Sequence, residues 1–143
     1  MRIGVGLIGG SVAAALKKRQ RVLTVVGCGR GQENLDVALK AGIIDSATQD
    51  PEEAVDQADV VLISAPVGAT SELLKQLSGI ITDKMVITDV GSTKAGIVAS
   101  AKRILGDRFP RFVPGHPVAG SERSGAGAAQ ADLFVDHWTV LTP

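Results

Sequence analysis

The chain has 143 residues, the length of one ordinary domain around one core. Its 15 Lys+Arg balance 15 Asp+Glu, which leaves no basic excess for binding nucleic acid, and a composition 45% hydrophobic and 21% charged excludes a disordered chain. One cysteine, Cys28, excludes an intrachain disulfide and a cysteine zinc cluster; with no apolar run of about 20 residues and no secretory leader at Met1-Arg2-Ile3-Gly4, the expectation is a cytoplasmic protein without membrane or metal partners.

Val- and Ile-rich runs without strict alternation recur between amphipathic stretches, the pattern of parallel strands covered on both faces by crossover helices. The first strand, residues 2–5, is short, since only three residues precede Gly4. It runs into Gly4-Val5-Gly6-Leu7-Ile8-Gly9-Gly10-Ser11, a G-x-G-x-x-G turn that opens a helix over residues 9–18. That helix sets Val12, Ala15 and Leu16 on one side and brings Lys17 and Lys18 to the negative end of its dipole. In such a turn Gly4 allows the tight bend, Gly6 lets the backbone approach a phosphate without a Cβ, and Gly9 lets helix and strand pack closely. Free N–H groups and the positive helix pole then face an anion. The expected ligand is a dinucleotide, held by Gly4, Gly6, Leu7, Ile8 and Gly9.

A second strand at residues 21–26 leads to Gly27-Cys28-Gly29-Arg30, with no carboxylate at its tip. A carboxylate there would accept hydrogen bonds from the ribose of NAD, whereas an arginine pairs with the 2′-phosphate of NADP. Gly29 and Arg30 therefore point to NADP over NAD. The alternative makes Arg30 a solvated cation and gives the ribose to Glu33. Cys28 is expected to be unreactive. A weaker strand falls at 46–48, and Asp50-Pro51-Glu52-Glu53 starts a helix, with a capping side chain, proline in the first helical position and glutamate in the third.

The run 60–64 ends in Ala65-Pro66-Val67, whose backbone would line the cofactor at the carboxyl end of a parallel strand. The run 85–89 is followed by Val90-Gly91-Ser92-Thr93-Lys94 and by a helix over residues 95–105, with Ile97, Val98, Ala101, Ile104 and Leu105 on one buried face. Ser92 either reaches nicotinamide or substrate or caps that helix. After a strand at 112–115, the segment from Pro114 to Gly125 pins one imidazole, His116, among two prolines and three glycines. Histidine is the side chain suited to exchanging a proton near neutrality. His137 lacks such a scaffold and is expected to be structural; a last strand covers 138–141.

Three motifs recur together: Gly6-Leu7-Ile8-Gly9-Gly10-Ser11, Asp89-Val90-Gly91-Ser92-Thr93-Lys94, and His116-Pro117-Val118-Ala119-Gly120-Ser121-Glu122 with Leu133-Phe134 beyond it. In this order they resemble the prephenate/arogenate dehydrogenase family. The resemblance implies an α/β, doubly wound, mostly parallel Rossmann-like NAD(P)-binding domain over residues 1–143. It also implies that the family's helical C-terminal domain is absent, because the chain stops at Val140-Leu141-Thr142-Pro143. The implied reaction is oxidative decarboxylation of prephenate to 4-hydroxyphenylpyruvate, a step of tyrosine biosynthesis. By resemblance His116 accepts a hydrogen bond or proton from the substrate hydroxyl and Ser92 orients it beside the nicotinamide. Gly120, Ser121 and Glu122 border the substrate entrance. Full-length members are homodimers, and the isolated chain is expected to turn over weakly or not at all. The alternatives are an arogenate dehydrogenase, another two-domain NADP-dependent reductase or hydroxyacid dehydrogenase, and a non-catalytic dinucleotide-binding module.

Overall fold

Along the run Val60–Ile63, Val61 and Ile63 enter one apolar cluster and Leu62 enters another, so both faces of this strand are covered. That is the burial expected of a strand in a parallel sheet. A computed structural model describes residues 2–142, the side chains of residues 2 and 3 excepted. In chain order the elements are β1 (Arg2–Gly4), α1 (Leu7–Lys18), β2 (Val26–Cys28), α2 (Gln32–Lys40), β3 (Ser46–Thr48), α3 (Pro51–Val55), β4 (Val60–Ile63), α4 (Val67–Leu77), β5 (Val86–Asp89), α5 (Ala95–Leu105), β6 (Phe112–Val113), β7 (Gly115–Pro117) and β8 (Thr139–Leu141). Strands β1 to β6 form one sheet in the order β3-β2-β1-β4-β5-β6. Every pairing in it is parallel. The order reverses between β1 and β4, the switch point at which open α/β sheets bind ligands.

Two cores flank the sheet. Ala13 of α1 and Leu35 and Ala38 of α2 pack with Val5, Val25 and Leu62 on one face. Leu74 and Leu77 of α4 and Ile97, Ala101 and Leu105 of α5 pack with Val61, Ile63 and Ile87 on the other. Burying a side chain of this size contributes roughly 1.5–3 kcal/mol. The helix over 95–105 matches the expected stripe at Ile97, Ala101 and Leu105, and Gly106, at φ +52°, ends it. Asp50 caps α3 by accepting the Glu52 N–H at 2.8 Å, with Pro51 in the first turn. Of the side expected for α1, Ala15 is buried and Val12 packs half-buried against the core, whereas Leu16 is only half-buried; after Leu7 the rest of the inward face is Gly9, Gly10, Ser11 and Ala13. A face of small residues lets this helix lie close to the sheet.

Two strand assignments are corrected. The second strand starts where the run 21–26 was expected to end, because Val26 is the residue that pairs with Arg2. Ahead of it Leu23 is fully exposed, and Val25 is held by Asp45, whose carboxylate accepts the Val25 N–H at 2.7 Å and whose N–H reaches the Val25 carbonyl at 2.8 Å. The expected strand 112–115 is divided. The ladder to β5 ends with Thr88↔Val113, and the next residue, Pro114, has no N–H to continue it. Gly115–Pro117 then turns away and pairs antiparallel with Thr139–Leu141, so the last two strands form a separate ribbon outside the parallel sheet. No helix among the described residues is long and apolar enough to cross a membrane.

Candidate functional site

The glycine turn joins β1 to α1, and each of its three glycines answers a different steric demand. A Cβ on Gly4 would meet the Ser64 carbonyl oxygen at 2.9 Å, so Gly4 serves the close approach of β1 to the end of β4. This differs from the expected tight bend, since Gly4 does not adopt a left-handed backbone. A Cβ on Gly9 would strike the Gly4 carbonyl oxygen and lie 2.9 Å from the Ser64 Cβ, so only glycine lets α1 sit against the strand ends. Around Gly6 nothing lies within 4 Å of such a Cβ, and Gly6 caps α1 without any side-chain acceptor. The first N–H groups of the helix are therefore uncapped by side chains, which is the arrangement an anion recognises. Leu7 is buried and Ile8 half-buried, so their offering to a ligand is backbone.

In front of this turn opens a cleft of about 730 Å³, within the range of cofactor sites. It brings together six of the expected cofactor residues: Gly4, Gly6, Gly29, Arg30, Ala65 and Pro66. Its wall also includes Pro51, Ala54, Ala69 and Leu73, an apolar surface suited to a flat ring, and Asn34 of α2. Leu7, Ile8, Gly9 and Ser92 do not line it. Arg30 is exposed, and no carboxylate occupies the tip of β2. Beside it, burial and then the charges of Asp50 and Glu53 push the Cys28 thiol up, which favours its protonated form. A second cleft, of about 360 Å³, lies between α3 and the start of β5 and holds none of the expected site residues.

The remaining candidates hang on one carboxylate. Asp89 ends β5 with a side chain only 1% exposed. Its Oδ2 accepts the Gly91 N–H at 2.8 Å and pairs with the Lys94 ammonium, and its Oδ1 accepts the Gly115 N–H at 3.3 Å. Lys94 also donates to the Gly115 carbonyl at 2.7 Å. The loop carrying Ser92 and the strand carrying His116 are thus tied to the same strand end. A Cβ on Gly115 would sit 2.9 Å from the Asp89 carbonyl oxygen, so glycine is required for this approach. Ser92 is exposed and leaves α5 uncapped, since the capping position is Lys94 and carries no side-chain cap bond. His116 is half-buried and faces Val140 across the ribbon.

Gly120, Ser121 and Glu122 lie exposed in the loop after β7, where Ser121 Oγ accepts the Arg123 N–H at 3.3 Å. None of them, and neither His116 nor Ser92, lines the cleft. His137 is exposed, its Nδ1 paired with the Val135 carbonyl at 2.7 Å. Asp89, Lys94 and Asn34 were missed as functional positions, although Asp89 and Lys94 stand at the two ends of a motif already singled out.

The family model described as "Prephenate dehydrogenase, nucleotide-binding domain" matches residues 12–143. The chain is 42% identical over 142 residues to a prephenate dehydrogenase of Bacillus subtilis, covering 98% of this chain and 38% of that protein. It is 40% identical over 141 residues to a prephenate dehydrogenase of Lactococcus lactis, covering 98% and 39%. The chain thus spans about two fifths of the length of these curated relatives. Among solved structures it resembles a prephenate dehydrogenase of Aquifex aeolicus in complex with hydroxyphenyl propionate and NAD+. That match has a TM-score of 0.91 and 36% identity, covering 99% of this chain and 49% of the other.

Proposed function

The chain belongs to the prephenate dehydrogenase family, as its nucleotide-binding domain, and from that premise we propose that it is the cofactor half of an enzyme converting prephenate, NAD(P)+ and no other reactant to 4-hydroxyphenylpyruvate, carbon dioxide and NAD(P)H. The observation that carries this reading is the pairing of an open glycine turn after β1 with a histidine strand pinned by Asp89 and Lys94 to the end of β5, two strands away in the same sheet.

A nicotinamide bound along the cleft supplies the hydride acceptor. Gly6 leaves room for the pyrophosphate and the start of α1 offers it N–H groups, while Pro51, Ala54 and Leu73 exclude water from the adenine side. His116 takes the proton of the ring hydroxyl as hydride departs from the carbon that bears it, and Ser92 orients that hydroxyl. Loss of the ring carboxylate as carbon dioxide returns its bonding pair through the ring to the oxygen, which recovers the proton as a phenol. Gly120, Ser121 and Glu122 border the entrance. Arg30 selects NADP, because it stands exposed in the cleft wall where its guanidinium can pair with a 2′-phosphate; the charges of Asp50 and Glu53, close enough to act on Cys28, oppose that phosphate and favour a ribose hydroxyl. The NAD+ bound to the Aquifex relative supports NAD as the alternative.

The test is prephenate-dependent NAD(P)+ reduction by the full-length enzyme and its His116→Ala variant. General-base assistance is worth about 10²–10⁴-fold. The variant should lose kcat on that scale while its dinucleotide Kd stays within about twofold. Unchanged kcat removes His116 from the chemistry, and a wild-type enzyme inert toward prephenate refutes the function.

A further inference from the structure

Asn34 sits on α2, in the wall of the dinucleotide cleft, yet its carboxamide makes both of its assigned contacts to backbone. Nδ2 donates to the Val5 carbonyl, inside the glycine turn, and Oδ1 accepts the Ala126 N–H at 2.7 Å. One partner is an acceptor and the other a donor, so the amide has a single orientation that satisfies both. The far side is shaped to fit. Gly125 has φ +82°, a backbone that side chains rarely adopt, and a Cβ there would come within 3.1 Å of Asn34 Oδ1. Five residues on, the Gln130 N–H bonds to the fully buried Ser11 Oγ at 2.9 Å, and Ala129 lies so close to α1 that a Cβ on Gly10 would be 2.9 Å from it. The loop that leaves β7 with Gly120, Ser121 and Glu122 therefore ends on the two helices that frame the glycine turn.

We propose that Asn34 is a positioning residue that couples dinucleotide occupancy of the glycine turn to the order of the 118–129 loop bordering the substrate entrance. The coupling follows from shared peptide groups. The Val5 carbonyl and the Gly6 N–H belong to one peptide unit. When that N–H side faces an anion, the carbonyl becomes a stronger acceptor, the Asn34 amide polarises, and its oxygen holds the Ala126 N–H more tightly, as in any chain of hydrogen bonds. Occupied cofactor and ordered loop then favour each other, a reciprocal linkage. This rests on the proposed dinucleotide reading and extends it to the order in which the site assembles.

The experiment is amide hydrogen exchange on the intact chain, with and without saturating NADP, for wild type, Asn34→Ala and Asn34→Asp, and for wild type also with saturating NAD. The aspartate keeps an acceptor for Ala126 and loses the donor to Val5. Each variant is brought to its own saturating NADP, and its thermal unfolding confirms folding. In wild type NADP should slow exchange over residues 4–11 and, by about tenfold, over residues 118–129. Both variants should keep the protection at 4–11, while the NADP-dependent gain at 118–129 falls below about twofold. A merely structural asparagine would loosen the loop equally in both states and leave that gain intact, which overturns the proposal. So does wild-type binding that protects the turn without the loop. Failure of NADP and NAD to protect residues 4–11 in wild type overturns the dinucleotide reading itself, and the coupling with it.

Discussion

Replacing Lys94 by Met removes an ammonium and keeps most of the aliphatic stem, so the packing change is small and the electrostatic change is large. The Lys94 side chain is 12% exposed and that of Asp89 1% exposed. Water therefore cannot take over the role of the ammonium, and the carboxylate keeps only two backbone donors, Gly91 and Gly115. Breaking a buried pair from one side costs about 3–5 kcal/mol, because the remaining charge stays desolvated. For a chain of this length that corresponds to a fall in Tm of roughly 10–20 °C. Urea unfolding followed by far-ultraviolet circular dichroism at pH 7 measures it directly, with the slope against urea confirming that the unfolded states are comparable. The double variant Asp89→Asn, Lys94→Met contains no buried charge and should recover stability relative to Lys94→Met, giving a coupling of about 2 kcal/mol or more in the double-mutant cycle. A Lys94→Met protein within about 1 kcal/mol of wild type would refute the argument that this pair holds the His116 strand to the end of β5.

Gly6→Ala and Gly9→Ala should separate binding from folding. At Gly6 the added methyl meets nothing, so unfolding free energy should stay within about 0.5 kcal/mol of wild type while dinucleotide Kd rises tenfold or more by titration calorimetry. At Gly9 the methyl meets a backbone carbonyl, so a change that normally favours a helix by about 1 kcal/mol should instead cost about 1–3 kcal/mol in urea unfolding. Arg30→Ala should weaken NADP by about 10–100-fold and leave NAD unchanged in parallel titrations; equal effects on both would remove Arg30 from the 2′-phosphate. The Lys17 ammonium, 2.6 Å from Asp45, and the Val25 N–H hold the Asp45 carboxyl below the usual carboxylate range, against the opposing effect of burial. A carboxyl lowered in the folded state contributes stability above its unfolded pKa and loses it as pH falls through the lowered native value. Because this pair is partly exposed, the contribution is about 1 kcal/mol or less. Asp45→Asn should therefore shrink the difference in urea stability between pH 7 and pH 3, and an unchanged difference would show that Asp45 adds nothing to acid sensitivity.

The strands and helices legible in the sequence are those whose signals are local. Val60–Ile63 is an apolar run within one segment, Val86–Asp89 begins as one, Ser46–Thr48 is a weaker Ser-Ala-Thr stretch, and Ala95–Leu105 declares itself through a stripe that its own periodicity defines. The run 21–26 carries the same local signal and is mostly not strand, because membership is decided by which residue finds a partner on β1, and that residue is Val26. Pro114 carries a local break signal, which the expected strand 112–115 runs across. The antiparallel pairing of His116 with Val140 was not legible, since it joins segments more than twenty residues apart through a connection that holds no α-helix among the described residues.

The same distinction governs the site. The glycine turn was legible because each glycine answers a constraint within or beside its own turn, and the comparison of Gly4, Gly6 and Gly9 shows that the three constraints are different: strand approach, open space and helix contact. Asn34 was passed over because its partners are backbone groups, and Asp89 and Lys94, although they pair with each other, because the contacts that tie them to the His116 strand are also to backbone. An N–H or a carbonyl is present at every position, so nothing in the residue types of Gly115, Val5 or Ala126 advertises that a carboxylate, an ammonium or an amide will seek it across 21, 26, 29 or 92 residues. What the sequence can carry is the steric half of such a contact, the glycine that permits it. Gly115 against Asp89 and Gly125 against Asn34 are both glycines whose Cβ would obstruct the approach. A glycine outside any turn, close in sequence to a candidate catalytic residue, is therefore a pointer to a buried polar side chain elsewhere in the chain that needs its backbone.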